Sequence, residues 1–300
     1  MPYIMASRVS AKLSENLNQD KAPVWFEGIH TVGMLQKFPE TFKNRKIFLR
    51  AHNIESRYYR ELAEKEPLGL VQLYYKTESR RLHKYEQDCF SVFDHIFSIS
   101  QSEQKEIVTH NPSVSWLPAF VHYREQKISR LPPFDPEGLR VLYHGNFCVS
   151  ENRNTAKSLL QVFQQMGDPR FQLILAGKGL SHQEFKSDSV EIHANPPSMD
   201  AIMDTVDLVV LPGKQMSGVK IKLLESLAAG KRVIASRETL TGSGLEEFVP
   251  VLPSCSSLPE LLQKAFRYEL DPIFLESLNA FRTLYNPRSG VKQIIEHLSA

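Results

Sequence analysis

The sequence Ser217-Gly218-Val219-Lys220-Ile221-Lys222-Leu223-Leu224-Glu225 follows the apolar run Leu208-Val-Val-Leu-Pro212 and a short loop that opens with Gly213. The run 208–212 is typical of a buried strand, and the apolar residues after the loop recur with helical period, which predicts a helix from about Val219. A strand, a glycine-containing loop and a helix N-terminus together form an anion site, because free backbone N–H groups and the helix dipole both point at the loop.

The polar residues of this stretch fit a diphosphate. Ser217 adds a hydroxyl, Gly218 permits close approach of a phosphate, and Lys220 and Lys222 bring positive charge into the expected first turn. Cations there oppose the helix dipole, and a bound diphosphate is a reason for their presence. Glu225 can accept hydrogen bonds from the two hydroxyls of a neighbouring ribose. The alternative is a solvated Lys222–Glu225 pair worth a few tenths of a kcal/mol, which the spacing alone favours.

Short apolar runs alternate with longer helical patterns along the whole chain. Such alternation predicts parallel sheets covered by helices, and it excludes all-β and all-helical folds. The predicted strands are 24–26, 46–49, 95–99, 115–117, 141–144, 172–176, 191–193, 208–211 and 232–235. The predicted helices are 55–64, 70–93, 154–165, 219–229, 256–268, 272–285 and 289–298.

The segment Arg130-Leu-Pro-Pro-Phe-Asp-Pro-Glu-Gly138 predicts a linker at residues 131–138, because its prolines cannot continue a helix or a central strand. We therefore expect two Rossmann-like domains, residues 1–130 and residues 139–300, with the C-terminal helices in the second. Open parallel sheets bind ligands at the carboxyl ends of their strands, so a ligand is expected in a cleft that both sheets face.

Composition excludes several classes of protein. The 300 residues are 42% hydrophobic and 23% charged, as in ordinary globular domains. A net charge of +2 gives no basic face for nucleic acid. No apolar run approaches the ~20 residues of a membrane helix. Cys89, Cys148 and Cys255 are widely spaced and indicate reduced thiols in a cytoplasmic protein, with no disulfide framework or zinc site.

The run Gly218–Ile234 resembles the donor-site signature of the family-4 retaining glycosyltransferases of the GT-B fold. Further segments are similar to that family in the expected order: Val141–Gly145 with Asn152, Leu173–Gly179, and Glu191–Asn195 followed by Met199–Asp207. The resemblance implies that Glu225 binds the ribose of a sugar nucleotide. The other donor-binding residues that it implies are Gly145, Asn146, Gly177, Lys178, His193, Ser217, Gly218, Val219, Lys220 and Lys222.

The sequence departs from the family pattern at the donor site. The family often has two glutamates separated by seven residues, and the first of these positions is Ser217 here. Many members have an arginine after the first donor-domain glycine and a lysine about five residues later, where this chain has Asn146 and Glu151. Neither residue can bind a diphosphate by charge, so we assign that role to Lys220 and Lys222.

Segments 50–59, 78–86 and 97–103 resemble the acceptor domain of the same family. A family histidine near the position of His52 lies beside the reacting sugar, which implies a catalytic role for His52. Glu27, His30, Asn53 and Glu55 are the implied acceptor-side residues. Packing is an equal alternative for His52 and the favoured one for His30, and Asn53 is expected to cap the next helix with Glu55 in its first turn. Ser100-Gln-Ser-Glu103 has the spacing of a capping box.

Two features of the first half remain. Relative to the family, the first strand with its glycine-rich loop and one or two helices are missing before Met1, so the first domain is expected to be incomplete. The basic clusters Arg80-Arg81 and Lys43–Lys46 are more often solvated faces than contacts to an anionic lipid or a phosphate-bearing acceptor.

The resemblance implies a hexosyltransferase of polysaccharide biosynthesis. It would move a hexose from a UDP- or GDP-sugar to a glycan or lipid-linked acceptor with retention and without a metal, in the cytoplasm or peripherally at the inner face of the membrane. The alternatives are a non-catalytic sugar-nucleotide-binding protein of the same fold and a GT-B epimerase, which needs acid and base carboxylates. A Rossmann dehydrogenase is disfavoured because no Gly-x-Gly-x-x-Gly follows an early strand.

Overall fold

The computed structural model describes residues 1–122, 130–135, 138–187, 189–214 and 217–299. The chain forms two compact units. The first comprises Met1–Ala119, Ser217–Val219 and Pro287–Ala300, and the second comprises Phe120–Met216 and Lys220–Asn286.

The described strands form one parallel sheet in each unit, so the predicted α/β class and its two parallel sheets are confirmed. The first sheet has the order β1-β2-β3-β4 and the second the order β7-β6-β5-β8-β9. The strands are β1 (Val24–Glu27), β2 (Ile47–Ala51), β3 (His95–Ser98), β4 (Val114–Trp116), β5 (Leu139–His144), β6 (Phe171–Gly177), β7 (Val190–Ala194), β8 (Leu208–Leu211) and β9 (Arg232–Ala235).

Helices connect these strands. They are α1 (Tyr3–Ala6), α2 (Ala11–Leu17), α3 (Gly33–Lys37), α4 (Pro39–Phe42), α5 (Glu55–Lys65), α6 (Leu70–Phe90), α7 (Gln101–Ile107), α8 (Ser150–Met166), α9 (Met199–Asp204), α10 (Ile221–Ala228), α11 (Arg237–Leu240), α12 (Leu258–Phe266), α13 (Asp271–Leu284) and α14 (Pro287–Ser299). Among the described residues, no helix is long and apolar enough to cross a membrane.

The first sheet buries both of its faces. Successive strand residues point to opposite faces, so Leu49 and Ile96 pack in one core while their neighbours Phe48 and Phe97 pack in another. Trp25 stacks on Phe97 in the second core, with ring centroids 4.9 Å apart.

Helix α14 covers that second core. Ile294 packs against Phe48, Phe97 and Leu117. His297 stacks on His95 at 3.7 Å, and the Gln293 amide donates to Ser115 Oγ over 2.7 Å. The sequence prediction kept residues 287–300 with the second domain, whereas the structure packs this helix in the first unit. An amphipathic helix does not specify which apolar face it covers, and here the aromatic face of the first sheet takes it.

The second sheet has the continuous burial of a doubly covered parallel sheet. Consecutive residues of β6 and β8, such as Leu173, Ile174 and Leu175 and then Val209 and Val210, are fully buried. Strands covered on both faces need apolar side chains at every position, which explains why the sequence shows runs there and no alternation.

We predict that Ile294→Ala lowers the free energy of unfolding of the first unit by about 1–2 kcal/mol, because it removes half-buried methyl groups from the second core. Ile295→Ala is the matched control. Ile295, the next residue on α14, is 56% exposed, so its substitution should change stability little. Chemical denaturation followed by tryptophan fluorescence measures both, since Trp25 lies in that core. Equal effects of the two substitutions would show that α14 does not pack in this way.

Candidate functional site

The carboxyl ends of β5 and β6 meet through their backbones. Gly177 has φ +145°, and a Cβ there would lie 1.9 Å from the carbonyl oxygen of Gly145. Only glycine allows this approach. The two predicted donor-site glycines therefore bring two strand ends together and leave backbone atoms at the edge where open parallel sheets bind ligands.

Asn146 and Asn152 build the turn that leaves β5. The Asn146 side chain accepts a hydrogen bond from Cys148 N over 3.1 Å, and its carbonyl accepts one from Asn152 Nδ2 over 2.9 Å. Tyr143 Oη donates to Asn152 Oδ1 over 3.1 Å. Asn146 thus shapes the turn, and its side-chain oxygen already accepts a hydrogen bond.

Lys222 lies half-buried beside this turn. Its Nζ is 3.4 Å from Asn152 Oδ1 and 5.0 Å from the centroid of the Tyr143 ring. Burial lowers the pKa of Lys222 to about 8; Glu151 opposes that shift and Lys220 adds to it. Lys222 makes no ion pair with Glu225 among the residues that the structure describes. The solvated Lys222–Glu225 pair is therefore not the arrangement observed, and an ammonium is held where a bound anion would stabilise it.

Helix α10 begins two residues later than predicted. Lys220 has ψ 104°, which is extended backbone, so the helix starts at Ile221 with Lys220 as its N-cap. The Lys220 carbonyl accepts from Leu223 N over 2.9 Å. Lys222 alone thus lies in the first turn, where its charge opposes the helix dipole.

Glu225 lines a cavity of about 570 Å³ in the second unit. Burial raises the pKa of its carboxyl, and the nearby Asp200 raises it further. The lining residues are Phe120, Val121, His122, His144, Met199, Asp200, Met203, Asp204, Ile221, Glu225, Ala228 and Ala229. The cavity thus combines apolar surface with carboxylates that can accept hydrogen bonds from hydroxyl groups.

His144 is a cavity residue that the sequence reasoning missed. It is the last residue of β5, and its Nε2 lies 3.4 Å from Ser226 Oγ of α10. Burial lowers the pKa of His144 to about 4, with a further contribution from the charge of Lys222. A neutral imidazole therefore faces the cavity at neutral pH. Its position at the end of a central strand was the available signal.

Ser217, Gly218 and Val219 belong to the first unit, where two carboxylates hold them. Ser217 Oγ donates to Glu61 over 2.8 Å, and Gly218 N donates to Glu103 Oε1 over 3.3 Å. Gly218 has φ +64°, and a Cβ there would lie 2.0 Å from Asn53 Oδ1. The hydroxyl and N–H that were predicted for a phosphate are thus engaged by Glu61 and Glu103 in this structure. Residues 215 and 216 of the same predicted loop lie outside the described residues.

Of the predicted donor residues only Glu225 is part of the cavity lining, and the last two, Lys178 and His193, are engaged elsewhere. Lys178 is exposed after β6, and its carbonyl accepts from Phe147 N over 2.7 Å. His193 on β7 hydrogen-bonds Glu191, which pairs with Arg140 over 2.9 Å. His193 is therefore part of a charged network on the sheet.

The predicted acceptor-side residues cluster at the carboxyl ends of β1 and β2. His52 Nε2 lies 2.7 Å from Glu27 Oε2, and His30 Nε2 lies 3.4 Å from Glu55 Oε1. Gly28 separates the histidines: a Cβ there would lie 3.2 Å from His30 and 3.7 Å from His52. Both imidazoles thus have carboxylate partners that fix their orientation.

The expected Asn53 cap of α5 is wrong. The N-cap is Ile54, whose side chain cannot accept a hydrogen bond, and Asn53 Nδ2 donates to Glu55 instead. Two buried carboxylates from other helices serve the helix start. Glu86 accepts from Glu55 N over 2.6 Å, and Glu103 accepts from Ile54 N over 3.2 Å.

Burial makes the carboxylates of Glu86 and Glu103 easier to protonate. It raises the pKa of Glu86 to about 7 and of Glu103 to about 6, although backbone hydrogen bonds oppose both shifts. The predicted capping box is half formed, because Ser100 Oγ accepts from Glu103 N over 3.4 Å while the Glu103 carboxylate turns to Ile54 and Gly218.

The basic clusters differ in exposure. Arg45 is buried and donates to the carbonyls of Leu17 and Asp20, so it is structural. Arg81 is exposed and pairs with Glu78 over 3.0 Å. Cys89, Cys148 and Cys255 are free thiols. The described residues contain no group of three histidine, cysteine or acidic side chains placed to hold a metal ion.

We predict that acid weakens the second unit through His144. Its folded pKa of about 4 lies below the ordinary 6.5, so the unfolded chain binds more protons between these values. The free energy of unfolding should fall by on the order of 2–3 kcal/mol as the pH drops through that window. His144→Asn should flatten the dependence, whereas His182→Asn, at an exposed position, should not. Thermal unfolding across this pH range measures it, and an unchanged slope in His144→Asn would contradict the assignment.

A family of known proteins matches the part of the chain that contains this candidate site. Residues 138–250 match the family model described as glycosyl transferases group 1. An uncharacterized 44.6 kDa protein in the cps region of Klebsiella pneumoniae is 25% identical over 260 residues, which cover 81% of this chain and 64% of that protein. The chain thus spans less than two thirds of the length of this relative.

Two solved structures share the fold. A UDP-forming α,α-trehalose-phosphate synthase from Burkholderia xenovorans superposes with a TM-score of 0.70 at 12% identity, over 98% of this chain and 78% of that one. Alr3699/HepE from Anabaena, solved in complex with UDP, superposes with a TM-score of 0.67 at 14% identity, over 96% and 81%. The chain therefore has the GT-B fold of two parallel-sheet α/β units, and most of the segment that matches the glycosyl transferases group 1 model lies in the second unit.

Proposed function

We propose that the second unit binds a nucleoside-diphosphate sugar and that the chain transfers the sugar to a glycan or lipid-linked acceptor. The observation that carries this proposal is the half-buried Lys222 ammonium, which lies on the same helix as Glu225 of the cavity and close enough to His144 to lower its pKa. A partly desolvated cation is stabilised by an anionic partner, and a diphosphate is such a partner.

Lys222 and Lys220 are the proposed diphosphate ligands. The first N–H groups of α10 add to them, because the first turn of a helix leaves its donors without partners in the helix. By the family resemblance, Asn146 and Glu151 stand where basic residues are expected. Asn152, which accepts from Tyr143, lies 3.4 Å from Lys222 Nζ, so Lys222 is the proposed cation beside this turn.

Glu225 is the proposed ligand of the ribose. Its carboxylate lines the cavity together with Asp200, and two vicinal hydroxyls can donate to one carboxylate. The apolar part of the cavity, which includes Met199, Met203 and Ala228, offers packing surface for the rest of the nucleoside.

The proposed reaction breaks the bond between the anomeric carbon and the diphosphate oxygen and forms one from that carbon to an acceptor oxygen. The proton of the acceptor hydroxyl passes to the departing diphosphate oxygen, and the nucleoside diphosphate leaves. Lys220, Lys222 and the start of α10 stabilise the charge that develops on the diphosphate, a kind of stabilisation that is usually the largest catalytic contribution. His52, oriented by Glu27, is the proposed group beside the reacting sugar.

The comparisons favour this function over other uses of the fold. One similar structure was solved with UDP, and the Klebsiella relative comes from a cps region, which supports polysaccharide biosynthesis. We extend the proposal to a hexose, to retention, to a UDP- or GDP-sugar and to a reaction without a metal. Release of UDP or GDP from the matching sugar nucleotide in the presence of a glycan acceptor tests it.

A non-catalytic sugar-nucleotide-binding protein is the second candidate. Ser217 replaces a carboxylate that is common at this position in similar proteins, and in this structure Ser217 and Gly218 bond to Glu61 and Glu103. Binding of a sugar nucleotide without turnover on any acceptor would favour this candidate.

We predict that Lys222→Ala weakens UDP or GDP binding about 10- to 100-fold and that Lys220→Ala with Lys222→Ala weakens it further, because each removes a charge-assisted contact to phosphate. Lys264→Ala is the matched control, since this lysine lies on α12 of the same unit and pairs with Glu260. Isothermal titration calorimetry measures all three variants. An unchanged affinity in the double variant would rule out the lysines as diphosphate ligands.

We predict that Glu225→Gln removes discrimination between UDP and 2′-deoxy-UDP, or between the guanosine pair if GDP is the ligand. A neutral amide accepts hydroxyl hydrogen bonds more weakly than a carboxylate, so affinity for the ribose form should fall about tenfold while the deoxy form is less affected. Glu260→Gln on α12 serves as the control. If the variant keeps the ribose preference of the native chain, another group binds the ribose hydroxyls.

A further inference from the structure

The turn between α5 and α6 carries an exposed apolar tip, residues 67–74. Leu68 is 92% exposed, Leu70 87% and Leu73 61%. Val71 and Tyr74 are also exposed large side chains. Isolated exposed leucines are ordinary, but a contiguous set of this size marks a contact surface.

The tip does not belong to the core of the first unit. Helix α6 buries residues only from its third turn onward, namely Glu78, Ser79, Leu82, Glu86 and Phe90. None of residues 67–74 is buried in the described structure. The tip thus extends beyond the packed part of the hairpin formed by α5 and α6. Its leucines are not part of the core of the first unit.

The side chains change character along the α6 axis. At 1.5 Å per residue, Tyr74 lies ~6 Å beyond Leu70, Lys76 ~9 Å and Arg80 ~15 Å. A second exposed tyrosine, Tyr3, lies beside the third turn, because its backbone N donates to Glu78 over 3.1 Å. The order is therefore leucine, then tyrosine, then cation.

This order matches the change in polarity from the acyl region of a lipid bilayer to its phosphates. Leucine suits the acyl boundary, tyrosine is enriched at the membrane–water interface, and lysine and arginine reach the phosphates. The depth of about 5–10 Å to which amphipathic helices bury apolar side chains is close to the rise from Leu70 to Lys76.

The hairpin has an excess of exposed positive charge. The exposed cations between Arg60 and Asp88 are Arg60, Lys65, Lys76, Arg80, Arg81 and Lys84. The exposed carboxylates of the same span are Glu64 and Asp88; Glu61 and Glu66 are half-exposed, and Glu86 and Glu78, which pairs with Arg81, are buried. An anionic lipid surface attracts the cations of such a segment.

We propose that residues 67–74 insert into the interface of an anionic phospholipid bilayer, with Lys76 and Arg80 at the level of the phosphates. A second copy of the chain fits the tip less well, because a tip-to-tip contact would bring like charges together. The proposal does not depend on sugar transfer, since none of these residues lines the cavity of the second unit.

Vesicle co-sedimentation tests the proposal, with phosphatidylcholine alone and with an equal mixture of phosphatidylcholine and phosphatidylglycerol. We expect the chain to bind the mixed vesicles and to be released by salt. Leu68→Ser with Leu70→Ser and Leu73→Ser should weaken binding at least tenfold, and Lys76→Glu with Arg80→Glu should remove the preference for the anionic lipid. Val291→Ser with Ile295→Ser, at exposed apolar positions of α14, is the matched control and should bind like the native chain.

Two further measurements separate the outcomes. The emission of Tyr74→Trp should shift to the blue on mixed vesicles, beyond any shift from the native Trp25 and Trp116. The leucine variant should keep its thermal stability and its nucleoside-diphosphate binding. Failure of vesicle binding in the native chain, or equal binding by all variants, would overturn the proposal. Dimerisation without vesicles that the leucine variant abolishes would assign the tip to a second copy instead.

Discussion

The backbone contact between Gly145 and Gly177 sets the geometry of the candidate site in the second unit. It brings the ends of β5 and β6 together at a distance that any side chain would prevent. Because the strands are parallel, the residues that end or follow them, His144 and Asn146 among them, reach the same edge. Asn152 closes this turn and contacts Lys222, so the half-buried ammonium lies beside the same turn.

The candidate site of the second unit and the start of α5 in the first unit hold opposite charges. In the second unit the half-buried cation Lys222 lies near a histidine that burial keeps neutral. In the first unit two buried carboxylates, Glu86 and Glu103, hold backbone N–H groups and have raised pKa values. An added anion would stabilise the ammonium of Lys222, whereas the carboxylates of Glu86 and Glu103 already have hydrogen-bond donors. This difference supports placing the diphosphate on the second unit.

Much of the fold could be predicted from the sequence because buried parallel strands need apolar runs. The predicted strands 208–211 and 232–235 match β8 and β9, and the acceptor-side cluster around His52 was found from strand ends. The cap of α5 was not predictable in this way. Glu86 lies 31 residues from Glu55 along the chain, so the hydrogen bond depends on tertiary packing, whereas a local rule pointed to Asn53. The position of α14 was missed for a similar reason, since its apolar face fits either sheet.

The measurement that tests the account most directly is the thermal stability of the chain with a panel of nucleoside diphosphates and inorganic pyrophosphate. We predict that UDP or GDP stabilises the second unit by ~2–3 kcal/mol at hundredfold excess over its dissociation constant, and that pyrophosphate, which lacks the ribose, stabilises it less. Stabilisation by no diphosphate at all would contradict the assignment of a sugar-nucleotide site to Lys222 and Glu225.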